Sequence, residues 1–370
     1  MKYCWGDRWW LVAVIAVTGA CAPGFHPAAQ AAPELCRTGA VAYYIPEARS
    51  HQAVLQRWCA GVGPAVFLAR RSAAADVASI TGAPADSAQA VLPVVDSVLI
   101  VAWNNHVGGG ALDQFVDDIR AGRLTNGDSV HHFVLLLQEV YRSSGTVPEL
   151  SGDMLHASEI EETPVGRNRT DIAVWAERHP ELAVLYAPSM RNGAQSGLAA
   201  REDRGSAIVT SMPFSDPSAY ELPVVRQRRV VPAGVVSGRT SSGEAWYMHV
   251  ASVHLENRPE GARNPERARF EQFEWLLGAL PDSSLAVLGG DMNTWMRGPD
   301  EVVIWRARDA YPDTPSLPSG PTYQQAGGVL RMYLDYLFFR IDEGRASGYR
   351  RLPGTYGSDH FPLLAWVHLR

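Results

Sequence analysis

The amino-acid sequence predicts an α+β protein in which strands and helices alternate along the chain. The first observation is a series of short apolar runs that carry polar residues at one end or within them. The second is a set of segments between these runs whose apolar residues recur with a helical period. With 46% hydrophobic and 19% charged residues, the composition is that of an ordinary globular protein with a sizeable core.

Residues 1–31 have the pattern of a secretory signal peptide. Lys2 and Arg8 precede the apolar run Trp9–Ala22, which is shorter than a bilayer span of about 20 residues. Small residues follow, and we expect cleavage after Ala31. The mature protein is then exported, to the periplasm or the exterior, without a transmembrane segment. A short membrane anchor and a lipoprotein acylated at Cys21 remain as alternatives.

Residues 32–96 are interpreted as an N-terminal extension that packs on the main domain. Cys36 and Cys59 are the two cysteines that remain after removal of the signal peptide. In an exported protein such a pair predicts a disulfide, which would stabilise the fold by roughly 3 kcal/mol in the chain-entropy model. Two unpaired thiols are the alternative.

The main domain is predicted over residues 97–370, and its elements follow from apolar periodicity. Helices are expected where apolar residues fall on one helical face, and strands where short apolar runs occur. The predicted helices are 112–120, 174–179 and 268–280. The predicted strands are 98–104, 133–139, 182–186, 207–209, 230–236, 247–257, 333–339 and the runs that lead into Asp291 and follow His360. Residues 142–170 and 191–205 are predicted loops.

The most informative segment is residues 287–296, where an apolar run leads into Gly289 and Gly290 and then into Asp291 and Asn293. Side chains two positions apart in a strand point to the same side. We therefore expect Asp291 and Asn293 to face one site. Taken alone, the same pattern also describes an ordinary turn in which the aspartate binds a nearby backbone amide.

Five further polar positions lie at or near the ends of apolar runs. They are Asn104, Glu139, His254, Asp335 and the pair Asp359–His360. Together with Asp291 and Asn293 they predict a single pocket at the ends of the strands.

This set of motifs resembles the endonuclease/exonuclease/phosphatase superfamily, which has the fold of DNase I and of neutral sphingomyelinases. The resemblance covers roughly residues 97–370, with all motifs in family order. It implies a four-layer α/β/β/α sandwich, DNase I-like, with the site at one end. It also implies hydrolysis of a phosphate ester by metal-assisted in-line attack of water.

The resemblance implies a divalent cofactor, Mg²⁺, with Mn²⁺ or Ca²⁺ as alternatives. The expected metal ligands are Asn104, Glu139 and Asp359, whose oxygen atoms suit a hard cation. Glu139 closes the run FVLLLQE, Asn104 follows Trp103, and Asp359 lies in GSDHFPL. In the family the glutamate is the main metal ligand.

The expected catalytic residues are His254, Asp291, Asn293, Asp335 and His360. The resemblance implies that His254 contacts the scissile phosphate, that Asp291 orients or deprotonates water, and that Asn293 binds a phosphate oxygen. Asp335 and His360 are expected to form a pair in which the carboxylate holds the imidazole charged.

Asn257, Arg228 and Arg229 are the expected substrate-binding residues, because arginine suits bidentate phosphate recognition. A solvated sheet edge is the alternative for the two arginines, and a turn is the alternative for Asn257. Ser206 stands where the family usually has asparagine, so a substrate contact from that amide is not implied.

The leading hypothesis is an exported, monomeric phosphodiesterase acting on a phosphate-ester substrate. Loss of the signal peptide removes two positive charges and one negative charge, which moves the net charge from −6 to −7. Such a surface does not favour nonspecific binding of nucleic acid. The alternatives are a secreted nuclease for DNA or RNA, a sphingomyelinase-like phospholipid hydrolase, and a non-catalytic binding module of the same fold.

Overall fold

The computed structural model describes most of the chain from residue 92 onward and short segments before it. The described residues are 42–44, 52–54, 62–63, 65–70, 92–145, 147, 169–192, 201–223, 225, 227–257, 264–295, 297–316, 320–325, 328–342 and 344–369. The predicted signal peptide, Cys21, Cys36 and Cys59 lie outside the described residues.

The strands carry the fold, and each forms where a short apolar or β-branched run occurs. In chain order they are β1 (Ala42–Tyr44), β2 (Gln52–Val54), β3 (Val66–Leu68), β4 (Ser97–Asn104), β5 (Phe133–Ser143), β6 (Ala183–Arg191), β7 (Glu202–Thr210), β8 (Phe214–Glu221), β9 (Val230–Arg239), β10 (Ala245–His254), β11 (Leu285–Asp291), β12 (Tyr323–Gln325), β13 (Leu330–Met332), β14 (Asp335–Ile341), β15 (Gly344–Ala346), β16 (Arg350–Arg351) and β17 (Leu363–Leu369).

Four α-helices lie between the strands in the described part of the chain. They are α1 (Leu112–Arg120), α2 (Ile172–Arg178), α3 (Pro265–Ala279) and α4 (Val302–Ala310), and a 3₁₀ turn at Gly298–Asp300 precedes α4. Asp171 caps α2 by accepting the backbone N–H groups of Ala173 and Val174. Asn264 caps α3 in the same way, directly before Pro265.

The strands form two large sheets and one small hairpin. One sheet has the order β1-β8-β9-β10-β11-β14, and the other has the order β15-β17-β4-β5-β7-β6-β3-β2, with β16 also paired to β17. The hairpin consists of β12 and β13. The segments β1, β2 and β3, which fall within residues 32–96, pair at the outer ends of these two sheets.

The two sheets pack face to face, and helices cover their outer faces. Strand β4 shows this arrangement directly, because both of its faces are buried. Val98, Ile100 and Ala102 join the core between the sheets. Leu99, Val101 and Trp103 join the core under α1 and α2. A third core lies between β9–β11, β14 and the helices α3 and α4. These layers confirm the predicted four-layer α/β/β/α sandwich.

The strand register brings the polar strand ends to one end of the sandwich. Strands β10 and β11 run parallel, with His254 opposite Asp291. Strand β14 is antiparallel to β11, with Asp291 opposite Asp335. In the other sheet β4 and β5 run parallel, with Asn104 opposite Gln138. The carboxyl ends of β4, β10 and β11, the middle of β5 and the amino end of β14 therefore meet.

Most predicted elements are confirmed, including the helix at 112–120 with four buried apolar side chains. The predicted loop at 191–205 is partly wrong, because β7 begins at Glu202 and is buried along its whole length. The predicted helix at 268–280 is confirmed as α3, in which Phe273 and Leu276 are buried while Phe270 and Leu277 are half-buried. Within the described residues, no helix combines the length and apolar composition needed to cross a bilayer.

Candidate active site

A cavity of about 430 Å³ lies at the end of the sandwich where the polar strand ends meet. Its wall contains eight of the eleven predicted site residues: Glu139, Arg229, His254, Asn257, Asp291, Asn293, Asp359 and His360. Asn104 and Asp335 contact these residues from behind the wall. Arg228 alone lies elsewhere.

Asp291 occupies the centre of this cluster and is 2% exposed. Its Oδ2 accepts a hydrogen bond from Asn104 Nδ2 at 3.0 Å, and its Oδ1 accepts the backbone N–H of Asn293 at 2.9 Å. Burial and the nearby charge of Asp335 raise the pKa of Asp291 to about 7, although His360 and the two hydrogen bonds oppose this shift. Near neutral pH this carboxylate can therefore accept a proton.

Asn293 reaches the cavity through a turn and not through strand alternation. Strand β11 ends at Asp291, and Asn293 has a left-handed φ of +53°. Its side-chain amide donates to the Leu255 carbonyl at 2.9 Å. The expectation that Asp291 and Asn293 share a site is met, but the reason given from alternation was wrong. The aspartate binds the asparagine backbone amide, as in an Asx turn.

Gly290 permits the close approach of β10 and β11 beside Asp291. Its φ is +142°, and an added Cβ would lie 2.0 Å from the Val253 carbonyl oxygen. A side chain at this position would therefore push apart the two strands that carry His254 and Asp291.

His360 and Asp335 form the predicted pair. His360 Nδ1 lies 2.8 Å from Asp335 Oδ2, and both residues are buried. Burial alone would lower the pKa of His360, but the charge and hydrogen bond of Asp335, with Asp291 and Asp359, raise it to about 10. His360 is therefore protonated at neutral pH. Its Nε2 lies 3.9 Å from Asp291 Oδ2 and 3.9 Å from Asp359 Oδ1.

His254 lies on the opposite side of Asp291. Its Nε2 is 3.6 Å from Asp291 Oδ2, and its Nδ1 is 3.1 Å from Arg229 Nη1. Burial, followed by the charges of Arg229, His360 and Arg204, lowers the pKa of His254 well below 6.5. His254 and His360 therefore differ in charge near neutral pH.

Glu139 is placed by a β-bulge within β5. The register between β5 and β7 shifts between Leu137 and Val140, and Glu139 has a φ of +50°. A bulge re-aims one side chain out of the regular ladder, and here the re-aimed carboxylate lines the cavity. Left-handed backbone at a non-glycine residue costs of order 1–3 kcal/mol and tends to collect at functional sites.

Such strained positions cluster around this cavity. In the described chain eight non-glycine residues have positive φ, and five of them line the cavity: His106, Val107, Glu139, Asn293 and Trp295. This clustering supports a functional role for the cavity independently of its charges.

The carboxylates of Glu139 and Asp359 fit a hard divalent cation, because both line the cavity and supply oxygen ligands. Asp359 Oδ1 lies 3.0 Å from His106 Nδ1. The Asn104 side-chain oxygen accepts the backbone N–H of His106 at 3.0 Å, and a carbonyl oxygen keeps a second lone pair for a cation. Asn104 is therefore a ligand only if the ion reaches behind the cavity wall.

A second group of metal-ligating side chains consists of Asp291, Asp335 and His360, whose ligand atoms lie within 4.8 Å of one another. His360 Nδ1 already donates to Asp335, and a protonated imidazole offers no lone pair. The hydrogen bond between His360 and Asp335 therefore explains why these three side chains lie together. The carboxylate oxygens of Glu139 and Asp359 are the better site for a cation.

The prediction that Arg228 binds substrate is wrong, because Arg228 does not line the cavity. Its side chain is fully buried and forms a bidentate pair with Glu221, at 2.8 and 3.2 Å. It also donates to the carbonyl of Pro188 at 3.2 Å. Successive residues of an extended segment point to opposite sides, so Arg229 reaches the cavity while Arg228 points away from it. Its position does not support a phosphate contact.

Several cavity residues had no clear signal in the sequence. Arg204 lies in β7, which the sequence analysis treated partly as loop, and Tyr323 lies in the short strand β12. The ring of Tyr323 meets that of His360 edge-on at 4.9 Å. Trp295 donates through Nε1 to Asn257 Oδ1 at 2.9 Å, which fixes the predicted substrate residue Asn257. For Arg204, the one signal available in the sequence was an arginine next to Gly205, directly before the apolar run 207–209.

Comparison with known proteins identifies the class. Residues 101–360 match the endonuclease/exonuclease/phosphatase family. Solved structures of similar fold include an endonuclease/exonuclease/phosphatase from Beutenbergia cavernae, with 16% identity, 74% of this chain and 72% of that chain covered, and a TM-score of 0.50. A family protein from Leptotrichia buccalis has 14% identity, with 75% and 100% covered and a TM-score of 0.46. No curated protein matches the chain.

The sandwich and its cavity therefore define a hydrolase of phosphate ester bonds. The chain belongs to the endonuclease/exonuclease/phosphatase family, whose model spans most of it. This family is dependent on divalent metal ions.

Proposed function

We propose that this protein is an exported, divalent-metal-dependent phosphodiesterase that hydrolyses its substrate by in-line attack of water. The observation that carries the proposal is the buried Asp291 carboxylate between two imidazoles, 3.6 Å from His254 Nε2 and 3.9 Å from His360 Nε2. A base and a protonated acid thus face the same small space.

In the proposed reaction the water oxygen bonds to phosphorus while the bond from phosphorus to the leaving oxygen breaks. Asp291 takes the proton of the attacking water, because its pKa of about 7 suits a base near neutral pH. His360, kept protonated by Asp335, gives the Nε2 proton to the leaving oxygen. Asp291 then releases the proton that it gained, and His360 Nε2 takes up one proton, from Asp291 or from solvent, which restores both groups.

The remaining cavity residues bind and orient. The amide of Asn293 and the guanidinium of Arg229 line the cavity and supply donors for phosphate oxygens. Glu139 and Asp359, with Asn104 behind them, would hold Mg²⁺, Mn²⁺ or Ca²⁺. When bound, the ion would supply positive charge against the phosphate oxygens.

Diester cleavage is favoured over monoester cleavage because the site holds a protonated imidazole for the leaving group and a second imidazole at the phosphate. Export is proposed from residues 1–31, and a bond between Cys36 and Cys59 accompanies it. The net charge of −7 expected after removal of residues 1–31 does not favour nonspecific binding of nucleic acid.

The test is a substrate screen with purified mature protein, supplied in turn with Mg²⁺, Mn²⁺ and Ca²⁺. The substrates are plasmid DNA, RNA, sphingomyelin, bis-p-nitrophenyl phosphate and p-nitrophenyl phosphate. We expect metal-dependent hydrolysis of a diester that Asp291→Asn abolishes and that Glu271→Gln, an exposed substitution on α3, leaves intact. Hydrolysis of monoesters alone, or no hydrolysis with any metal, would overturn the proposal.

A further inference from the structure

The contact between Arg229 and His254 fixes where the imidazole proton lies. Arg229 Nη1 and His254 Nδ1 are 3.1 Å apart, and both residues are buried. A guanidinium carries only hydrogen-bond donors and keeps its proton in proteins, so it must be the donor in this contact. Nδ1 is then the acceptor and bears no proton. A neutral imidazole with a free Nδ1 lone pair carries its single proton on Nε2.

The charges around His254 favour the same neutral form. Arg229, directly before β9, and Arg204, in β7, act on it with positive charge, and His360 acts in the same direction. Asp291 is the nearest carboxylate, with Oδ2 3.6 Å from Nε2, beyond a direct hydrogen bond. Adding a proton to Nδ1 would break the contact with Arg229 and place two cations 3.1 Å apart.

Arg229 is itself held from the opposite side. Its Nη2 donates to Gln227 Oε1, and the Gln227 backbone N–H donates to Glu256 Oε2 at 3.0 Å. The Glu256 backbone N–H donates in turn to Gln272 Oε1 of α3, at 2.8 Å. Burial lowers the pKa of Arg229, and the charge of Glu256 opposes that shift. This buried chain fixes the guanidinium in front of Nδ1 and leaves it little freedom to turn away.

We infer that Arg229 is a positioning residue that locks His254 as a neutral imidazole protonated at Nε2. In the proposed hydrolysis, on which this part of the inference rests, His254 donates a fixed hydrogen bond to a phosphate oxygen and transfers no proton. Proton transfer is left to Asp291 and His360. The two histidines thus have opposite partners, a cation for His254 and a carboxylate for His360, and opposite roles.

The test is ¹⁵N NMR of protein labelled at histidine nitrogens, without metal or substrate, from about pH 5.5 to 8.5. The His254 signals are assigned by their loss in His254→Gln. We expect an unprotonated Nδ1 and a protonated Nε2 of His254, neither of which titrates over this range. An imidazolium at His254, or a proton on its Nδ1, would overturn the inference.

Variants of Arg229 separate positioning from simple structural support. Arg229→Lys keeps a donor without an acceptor and should preserve the His254 pattern. Arg229→Gln removes the charge and should raise the pKa of His254 by more than about one unit. The control Arg267→Gln removes an exposed arginine on α3 and should leave the His254 signals unchanged. An unchanged His254 in folded Arg229→Gln contradicts the inference.

These outcomes do not depend on catalysis. If Arg229→Gln fails to fold, the wild-type and Arg229→Lys spectra still decide the protonation of His254. If the substrate screen finds no hydrolysis while the spectra match expectation, the proposed function fails, but the inference that Arg229 keeps His254 neutral is supported. If hydrolysis is found but His254 titrates normally, the inference about Arg229 fails, but the proposed function is supported.

Discussion

His360 Nδ1 lies 2.8 Å from Asp335 Oδ2, and the other carboxylate oxygen, Asp335 Oδ1, has no hydrogen-bond partner among the described residues. The negative charge of Asp335 is therefore directed at the imidazole. This contact holds His360 in its protonated form and aims Nε2 at Asp291 and Asp359.

Asp335→Asn should lower the rate of hydrolysis by roughly 10²–10⁴-fold, the range for a positioned acid–base group. Asparagine can still accept from Nδ1, but it lacks the charge that raises the pKa of His360 to about 10. The alkaline limb of the rate profile should then move to lower pH, because His360 is active when protonated. Asp309→Asn, at an exposed site on α4, is the control. An unchanged rate and profile would mean that the pair is structural.

Glu139→Gln should weaken divalent-ion binding by more than about tenfold, measured by calorimetry with Mn²⁺. The substitution removes a charged oxygen ligand but keeps the shape of the side chain and the bulge that positions it. Glu271→Gln, on the exposed face of α3, should bind the ion normally. Full activity of Glu139→Gln, or of wild-type protein after exhaustive chelation, would contradict the metal mechanism.

Asp291→Asn should change how stability depends on pH. The raised pKa of Asp291 means that the folded protein holds this proton more tightly than the unfolded chain does. The resulting stability is fully present below pH 3.8 and is lost as pH rises through about 7. The free energy of unfolding of the variant, relative to wild type, should thus rise across this window by up to about 1.4 kcal/mol per pH unit.

Chemical denaturation in the presence of a chelator measures this effect, since a bound cation would itself favour the ionised carboxylate. Asp309→Asn should show no such trend, because its side chain is 80% exposed. A relative stability that is flat between pH 4 and 8 would show that Asp291 ionises normally in the folded protein.

Arg228→Met should destabilise the protein by about 3–5 kcal/mol, because it leaves the buried Glu221 carboxylate without its partner. Glu221→Gln combined with Arg228→Met should recover part of that loss. In either folded variant KM should stay near its wild-type value, because Arg228 lies outside the cavity. A KM that rises without a loss of stability would instead place Arg228 at the substrate.

Cys36 and Cys59 are predicted to be bonded after export. Mass spectrometry of exported protein should show no alkylatable thiol at either position until reductant is added. Two thiols that alkylate freely in the exported protein would reject the bond.

Much of the candidate site could be predicted from the chain alone, because polar residues at the ends of buried runs reach a common sheet edge in any such fold. Asp291, His254, Glu139 and His360 fall in this group. Asp291 and His254 lie where a strand ends, Glu139 lies at a bulge, and His360 lies just before a strand. Each borders or interrupts an apolar run, and that local conflict is visible without a structure.

The partners of those residues could not be predicted in this way, since they depend on register and on strands distant in sequence. Sequence alone does not distinguish Arg228 from its neighbour Arg229, yet one pairs with Glu221 and the other with His254. Their opposite directions follow from the extended backbone on which they lie.

In the described part of the chain, the sequence by itself determined three of the four helices, every strand of seven or more residues except β8, and the chemical types gathered at one end. Only the tertiary structure decided the protonation states of the site residues, because the pKa of a buried group depends on burial and on its neighbours. Two histidines that look alike in the sequence thus become a neutral donor beside Arg229 and a charged acid beside Asp335. The physical reason is that burial disfavours the charged form of both imidazoles, and only at His360 do neighbouring carboxylates, Asp335 above all, outweigh it.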